Sequence, residues 1–215
     1  MKTLPGTLCG LLLFGMAAGA ASAELELEGH RLVVSGMLDG SAVKDFESQL
    51  AGGQVRTVVF ENALGGSAEV AADYARAIRE AGVNTEAKGQ CQAACAYAFL
   101  AGKERRFGRG FQVHALLIPL AGRPRTAELA GRWRGEGAQR TLAEFTPRPS
   151  APPAVDEPIA KDLWQPNQGV LFTSAPTLFG RVSNTFYCDG TQGRDLSRCE
   201  LLSDADPHKL GVLTP

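Results

Sequence analysis

Between Val55 and Ile118 the sequence alternates between two hydrophobic patterns, and this alternation restricts the fold more than any other feature. Val55 to Phe60 is a continuous apolar, β-branched run, the kind that suits a strand buried on both faces of a sheet. Asn62-Ala63-Leu64-Gly65-Gly66-Ser67 breaks it. From Ser67 the apolar positions fall at helical spacing, with Val70, Tyr74 and Ile78 flanked by Ala71 and Ala75, until Gly82 stops the stripe. A short strand over Thr85 to Ala87, a small-residue helix over Gln92 to Ala101 ended by Gly102, and a strand over Phe111 to Ile118 complete the series. Strands alternating with helices across short connections predict an α/β fold: a twisted, mostly parallel sheet wrapped by helices, with right-handed crossovers.

The flanks extend this scheme. Leu25 to Leu27 and Arg31 to Ser35 read as two strands around a turn at Gly29. Ser41 to Leu50 reads as a helix with Ser41 as its cap and Val43, Phe46 and Leu50 on one face. Lys103 to Arg106 reads as a solvated turn. Thr126 to Phe145 is a predicted helix weakened by Gly131, Gly135 and Gly137. Thr146 to Pro158 carries five prolines and is expected to be an extended loop. Gly169 to Thr173 and Val182 to Cys188 follow as strands, with a turn at Asp189 to Gly193.

Residues 1–23 have a basic start at Lys2, an apolar run from Leu8 to Ala18 and a small-residue end at Ala21-Ser22-Ala23. That pattern predicts a secretory signal peptide cleaved near Ala23, hence a periplasmic or secreted protein with no membrane span in its mature form. The remainder divides into a core over 24–145, the Pro-rich loop over 146–168 and a C-terminal part of the same domain over 169–215. With 22 basic against 23 acidic residues, the chain offers no charge excess for binding nucleic acid. Cys9 leaves with the leader. The remaining four cysteines, in an oxidising compartment, read as two disulfides paired by proximity, Cys91 with Cys95 and Cys188 with Cys199. On a helix through both, Cys91 and Cys95 would lie one turn apart and face each other.

Two pieces carry a resemblance. Asn62-Ala63-Leu64-Gly65-Gly66 at the head of a helix is similar to the Asn-Ser-Pro-Gly-Gly of the Clp protease/crotonase superfamily. Cys91-Gln92-Ala93-Ala94-Cys95 is similar to the Cys-x-Ser-x-Cys of its small exported bacterial members. Arg105-Arg106 and Gly108-Arg109-Gly110 precede a strand as they do there. Ala205 to Val212 resembles the superfamily's closing Ala-x-x-x-Gly-(Leu/Ile)-Val element. The resemblance implies a spiral of repeated β-β-α units and an oxyanion-stabilising, peptide-binding turn at Gly65 and Gly66. It places the catalytic serine at Ala93, the histidine at Leu116 and the acid near Asp195.

Two of those three positions cannot do the chemistry. A serine hydrolase needs a hydroxyl to attack and an imidazole to take its proton, and Ala93 and Leu116 supply neither. An oxyanion turn alone retains about 10³ to 10⁴ over water. Replacement groups are few. Cys95 would point away from the reaction centre and be oxidised. His114 shares a strand face with Leu116 but reads better as a core or rim residue. Ser67 reads better as a helix cap, and Asp195 as part of a solvated turn. His30, His114 and His208 are scattered without zinc spacing, so neither metal nor cofactor is expected. The expected function is a non-catalytic module that binds a peptide or protein ligand, with homo-oligomer assembly as a further expectation from the superfamily's habit of forming rings and trimers. The alternative is a periplasmic hydrolase or peptidase working through Ser67, Cys95 or His114. The crotonase branch acts on coenzyme A thioesters, which an exported protein would not meet.

Overall fold

The computed structural model describes residues 22–120, 125–145, 168–174, 199–200 and 206–215. The leader, the Pro-rich loop, the strand expected at Val182 to Cys188, Asp195 and the Cys188–Cys199 pairing lie outside the described residues.

A mixed α/β architecture emerges, built on one eight-stranded sheet in the order β1-β2-β3-β4-β6-β7-β8, with β5 also paired to β4. The strands are β1 (Glu24–Glu28), β2 (Arg31–Met37), β3 (Thr57–Leu64), β4 (Asn84–Gln92), β5 (Arg105–Phe107), β6 (Ala115–Leu120), β7 (Gln168–Thr173) and β8 (Cys199–Glu200). Between them run α1 (Val43–Ala51), α2 (Ala68–Ala81), α3 (Ala94–Leu100), α4 (Thr126–Leu129) and α5 (Glu136–Phe145). Pairing is parallel from β2 through β3 and β4 to both β5 and β6, and between β7 and β8. It is antiparallel between β1 and β2 and between β6 and β7.

The two faces of the central strands differ sharply. Leu32, Val58 and Thr85 lie in one cross-strand row, and Val34, Phe60 and Ala87 in the next. All six are buried in the face that the helices cover, where the Thr85 hydroxyl donates to the Phe99 carbonyl of α3 at 2.7 Å. Each large apolar side chain sequestered here contributes roughly 1.5–3 kcal/mol; Phe46 of α1 and Tyr74 of α2 meet ring to ring at 4.7 Å. The opposite face carries the rows Arg31-Thr57-Asn84, Val33-Val59-Glu86 and Ser35-Glu61-Lys88. Thr57 and Val59 are buried there too, but among polar and charged neighbours. Glu86 takes Arg31 at 2.8 Å and Arg106 at 3.0 Å, and Lys88 pairs with Glu61 at 2.8 Å. The continuous apolar run is thus buried on both sides, by helices on one and by an ionic layer on the other. Burial pushes the Glu86 carboxyl up, but its two arginines outweigh this and hold it below the ordinary carboxylate range.

Several boundaries differ from the sequence-based expectation. Ser67 does cap α2, its hydroxyl accepting from the Val70 N–H, and Gly82 closes that helix at φ 63°. Ser41 does not cap α1: Ala42 holds that position, while the Ser41 N–H and hydroxyl both donate to the Asp39 carboxylate, which competes for them within the same turn. β3 runs on through Asn62, which adopts φ 51° at a register shift against β4 instead of ending the strand. β4 extends from Asn84 to Gln92, so Cys91 sits on a strand and not on the helix; only Cys95 is helical. The strand expected from Phe111 starts at Ala115, leaving Phe111 fully exposed. The glycines at 131 and 135 split the long helix into α4 and α5. Among the described residues no helix is long and apolar enough to cross a membrane.

The expected solvated turn at Lys103 to Arg106 contains β5, because Arg105 has buried partners far along the chain. Its guanidinium donates to the carbonyls of Gly211 (2.8 Å), Val212 (3.0 Å), Gly102 (2.9 Å) and Leu100 (3.4 Å). Its backbone exchanges bonds with Thr214: the Thr214 N–H donates to the Arg105 carbonyl, and the Arg105 N–H to the Thr214 hydroxyl. Leu210, Val212 and Leu213 are thereby held in the core.

Candidate functional site

β4 delivers the chain to a sharp turn at Ala93, which stands at φ 58° and ψ −118° before α3 begins. A positive φ is a strained conformation for alanine, costing about 1–3 kcal/mol, and such residues persist only where the surroundings impose them. Here the surroundings do so from three sides. The Ala93 N–H donates to the Leu117 carbonyl at 3.1 Å, its carbonyl accepts from Tyr97 at 3.2 Å, and the following Ala94 N–H donates to the Gly65 carbonyl at 3.0 Å. The Cys91–Cys95 disulfide spans the turn. A strained strand-to-helix elbow is the geometry that holds a nucleophile proud of a sheet, and here it carries a methyl group.

The elbow meets the Gly-Gly turn directly. Gly65 and Gly66 have φ values of 68° and 95°. A methyl on Gly66 would collide with the Ala94 Cβ and the Leu38 carbonyl, and one on Gly65 with the Met37 sulfur. Ala93, Ala94 and Leu116 are all 0 % exposed. Leu116 lies opposite Cys91 in the β4–β6 ladder. Gly65 and Gly66 thus meet the elbow at Ala94, and the strand carrying Leu116 meets it through the Leu117 carbonyl. No reactive group is among them, and the N–H that follows the elbow is already committed to the Gly65 carbonyl. The Gly65 and Gly66 N–H groups have no hydrogen-bond partner among the described residues.

His114 lies just before β6, not within a strand face shared with Leu116. It is 2 % exposed, its Nδ1 accepts from the Gly89 N–H at 2.8 Å, and its ring stacks against Phe107 at 6.2 Å. An Nδ1 that accepts from a backbone amide leaves the neutral ring's proton on Nε2, which makes no hydrogen bond among the described residues. Neither nitrogen then offers a free lone pair for general-base work. Burial is the main cause that pushes this imidazole below its ordinary value, with Lys88 adding to it and Glu86 and Glu61 opposing it. Because the folded-state pKa is depressed, the neutral ring's contribution to stability is complete above about pH 6.5 and is lost as pH falls through the window below it, at up to about 1.4 kcal/mol per pH unit. Denaturation midpoints at pH 7.5 and 5.5 should therefore differ in the native protein and differ much less in His114→Asn, which keeps an acceptor for Gly89 but does not titrate. Equal slopes in both would contradict this assignment.

The remaining expected residues disperse. Ser67 spends its hydroxyl on the Val70 N–H at 3.3 Å. Cys95 is disulfide-bonded and buried. Among the described residues no group of His, Cys, Asp or Glu could hold a metal ion. Sequence reasoning missed the elbow itself, because alanine gives no sign of a positive φ.

No family model and no curated protein matches the chain. Among solved structures, an enoyl-CoA hydratase from Mycobacterium avium subsp. paratuberculosis K-10 aligns at 13% identity over 58% of this chain and 61% of its own, with a TM-score of 0.34. ThnE from S. clavuligerus aligns at 14% identity over 45% of this chain and 51% of its own, with a TM-score of 0.29. The chain spans between half and about three-fifths of the length of these structures.

Proposed function

We propose that this is an exported Clp/crotonase-like protein that has lost peptidase chemistry and acts by binding a peptide or protein. The observation that carries this reading is the elbow at Ala93: a strained backbone suited to presenting a nucleophile, with a fully buried methyl group in its place and the next residue, Ala94, packed against Gly66. Leu116 gives no proton acceptor, and the nearest hydroxyl, thiol and imidazole candidates are each committed elsewhere. Binding survives such losses, because an extended peptide is held through main-chain hydrogen bonds that need no reactive group.

Incubation of the purified, oxidised protein with a fluorophosphonate, and of the reduced protein with a thiol-reactive probe, tests the absence of chemistry. No stoichiometric fluorophosphonate adduct is expected, on the native protein or on Ala93→Ser, since a restored hydroxyl would still lack a base and access. Labelling of Ser67 or Cys95 that disappears in His114→Ala would instead establish a hydrolase.

A further inference from the structure

β1 ends the sheet, and its outer edge has no partner strand among the described residues. In an antiparallel edge strand, alternate residues turn their N–H and C=O groups away from the neighbour, leaving a row of unsatisfied main-chain donors and acceptors. On one face of this edge every residue is acidic: Glu24, Glu26 and Glu28 lie opposite Ser35, Val33 and Arg31 of β2. Among the described residues none of the three makes a close ion pair: Arg31, opposite Glu28, gives its short contact to Glu86, and Lys88 gives its own to Glu61. Beside the edge is an open concavity of about 460 Å³ lined by Glu24, Leu25, Glu26, Val33 and Ser35. Its lining combines an apolar side chain at Val33 with the carboxylates of Glu24 and Glu26, which have no ion-pair partner among the described residues; this suits the aliphatic stem and cationic head of a lysine or arginine.

We propose that the β1 edge docks an extended cationic segment of a partner protein as an added strand, with lysine or arginine at alternate positions and one such side chain seated over Val33 between Glu24 and Glu26. A second copy of the chain is a poor occupant, since two β1 edges would set glutamates against each other across the new ladder. Charge that merely guards the edge against aggregation would leave no preference for strand conformation. The inference names the partner class for the binding role proposed above and rests on that role. Its test does not involve the elbow, so failure here and failure of the labelling experiment can be told apart.

The probe is a capped peptide, Lys-Thr-Lys-Thr-Lys-Thr-Lys, compared with its glutamate counterpart and with a proline-interrupted version of the lysine peptide. Fluorescence anisotropy should register the lysine peptide alone, with amide exchange slowed along β1. The double reversal Glu24→Lys/Glu26→Lys, on an exposed edge that tolerates charge, should weaken that binding roughly tenfold or more and admit the glutamate peptide instead. Equal binding of the proline-interrupted peptide, or binding without protection of β1, would mean bulk charge attraction and overturn the proposal. Indifference to the double reversal would overturn it too, as would self-association through β1 without peptide.

Discussion

Arg105→Ala lowers stability by about 4 kcal/mol and frees residues 206–214 from the body of the protein. The substitution removes a cation whose hydrogen bonds run to the carbonyls of Gly211, Val212, Gly102 and Leu100. Bonds from charged donors contribute about 1.5–3 kcal/mol each, and partners left buried and unsatisfied add a desolvation penalty, so even partial relaxation leaves a loss of this size. No carboxylate offsets the charge among the described residues. Burial, reinforced by Arg134, pushes its pKa down, but the group remains a guanidinium at any ordinary pH. The stabilising field comes from oriented carbonyls, two of them at the C-terminal end of α3 where the helix dipole favours a cation. Arg105→Lys should recover less than half, because an ammonium cannot fork across four acceptors. Urea denaturation gives the free energies, and limited proteolysis reports whether the tail is released. A loss below about 1 kcal/mol, or a tail as protected as in the native protein, would refute this account.

Gly66→Ala is the second large effect, about 3–5 kcal/mol. A side chain at φ 95° costs on the order of 1–3 kcal/mol in backbone strain. Its methyl would also press on the Leu38 carbonyl, just past the end of β2, and on the Ala94 Cβ at the start of α3, for about another 1–3 kcal/mol of overpacking. Gly65→Ala provides the control. Its methyl meets only the flexible Met37 side chain, so about half the loss is expected. Equal midpoints for the two variants in chemical denaturation would mean that the contact between the turn and the elbow is looser than described.

What could be read from the sequence follows physical lines. α2 was legible because three signals agreed: a serine at the N-cap, an apolar stripe at helical spacing and a glycine at the C-cap. The β4–α3 boundary was not, since a run of Cys, Ala, Tyr, Phe and Leu suits a buried helix throughout, and alanine carries no mark of the positive φ that ends β4. Asn62 does carry one, asparagine being tolerant of left-handed backbone, but the same residue also suits the end of a strand, and only the pairing with β4 makes it an irregularity within β3. β5 could not be found locally. Two arginines and a phenylalanine form a strand there because β4, some 20 residues earlier, pairs with them in parallel, and Thr214, 109 residues later, adds hydrogen bonds to Arg105. At the candidate site the positions Gly65, Gly66, Ala93 and Leu116 were singled out by the resemblance alone, whereas the Ala94 bond to Gly65 and the tautomer of His114 depend on contacts between distant segments.

The clasp between Arg105 and Thr214 also governs when the molecule can finish folding. Most of the parallel sheet is encoded before residue 120, yet the four-carbonyl cage around Arg105 cannot close until residues 211–214 have left the ribosome. A nascent chain halted short of that point carries an unneutralised guanidinium at the end of α3 and an uncovered β5. Such a chain has its parallel strands but lacks the bonds that tie β5 to residues 211–214, so its last packing step waits on that distant segment.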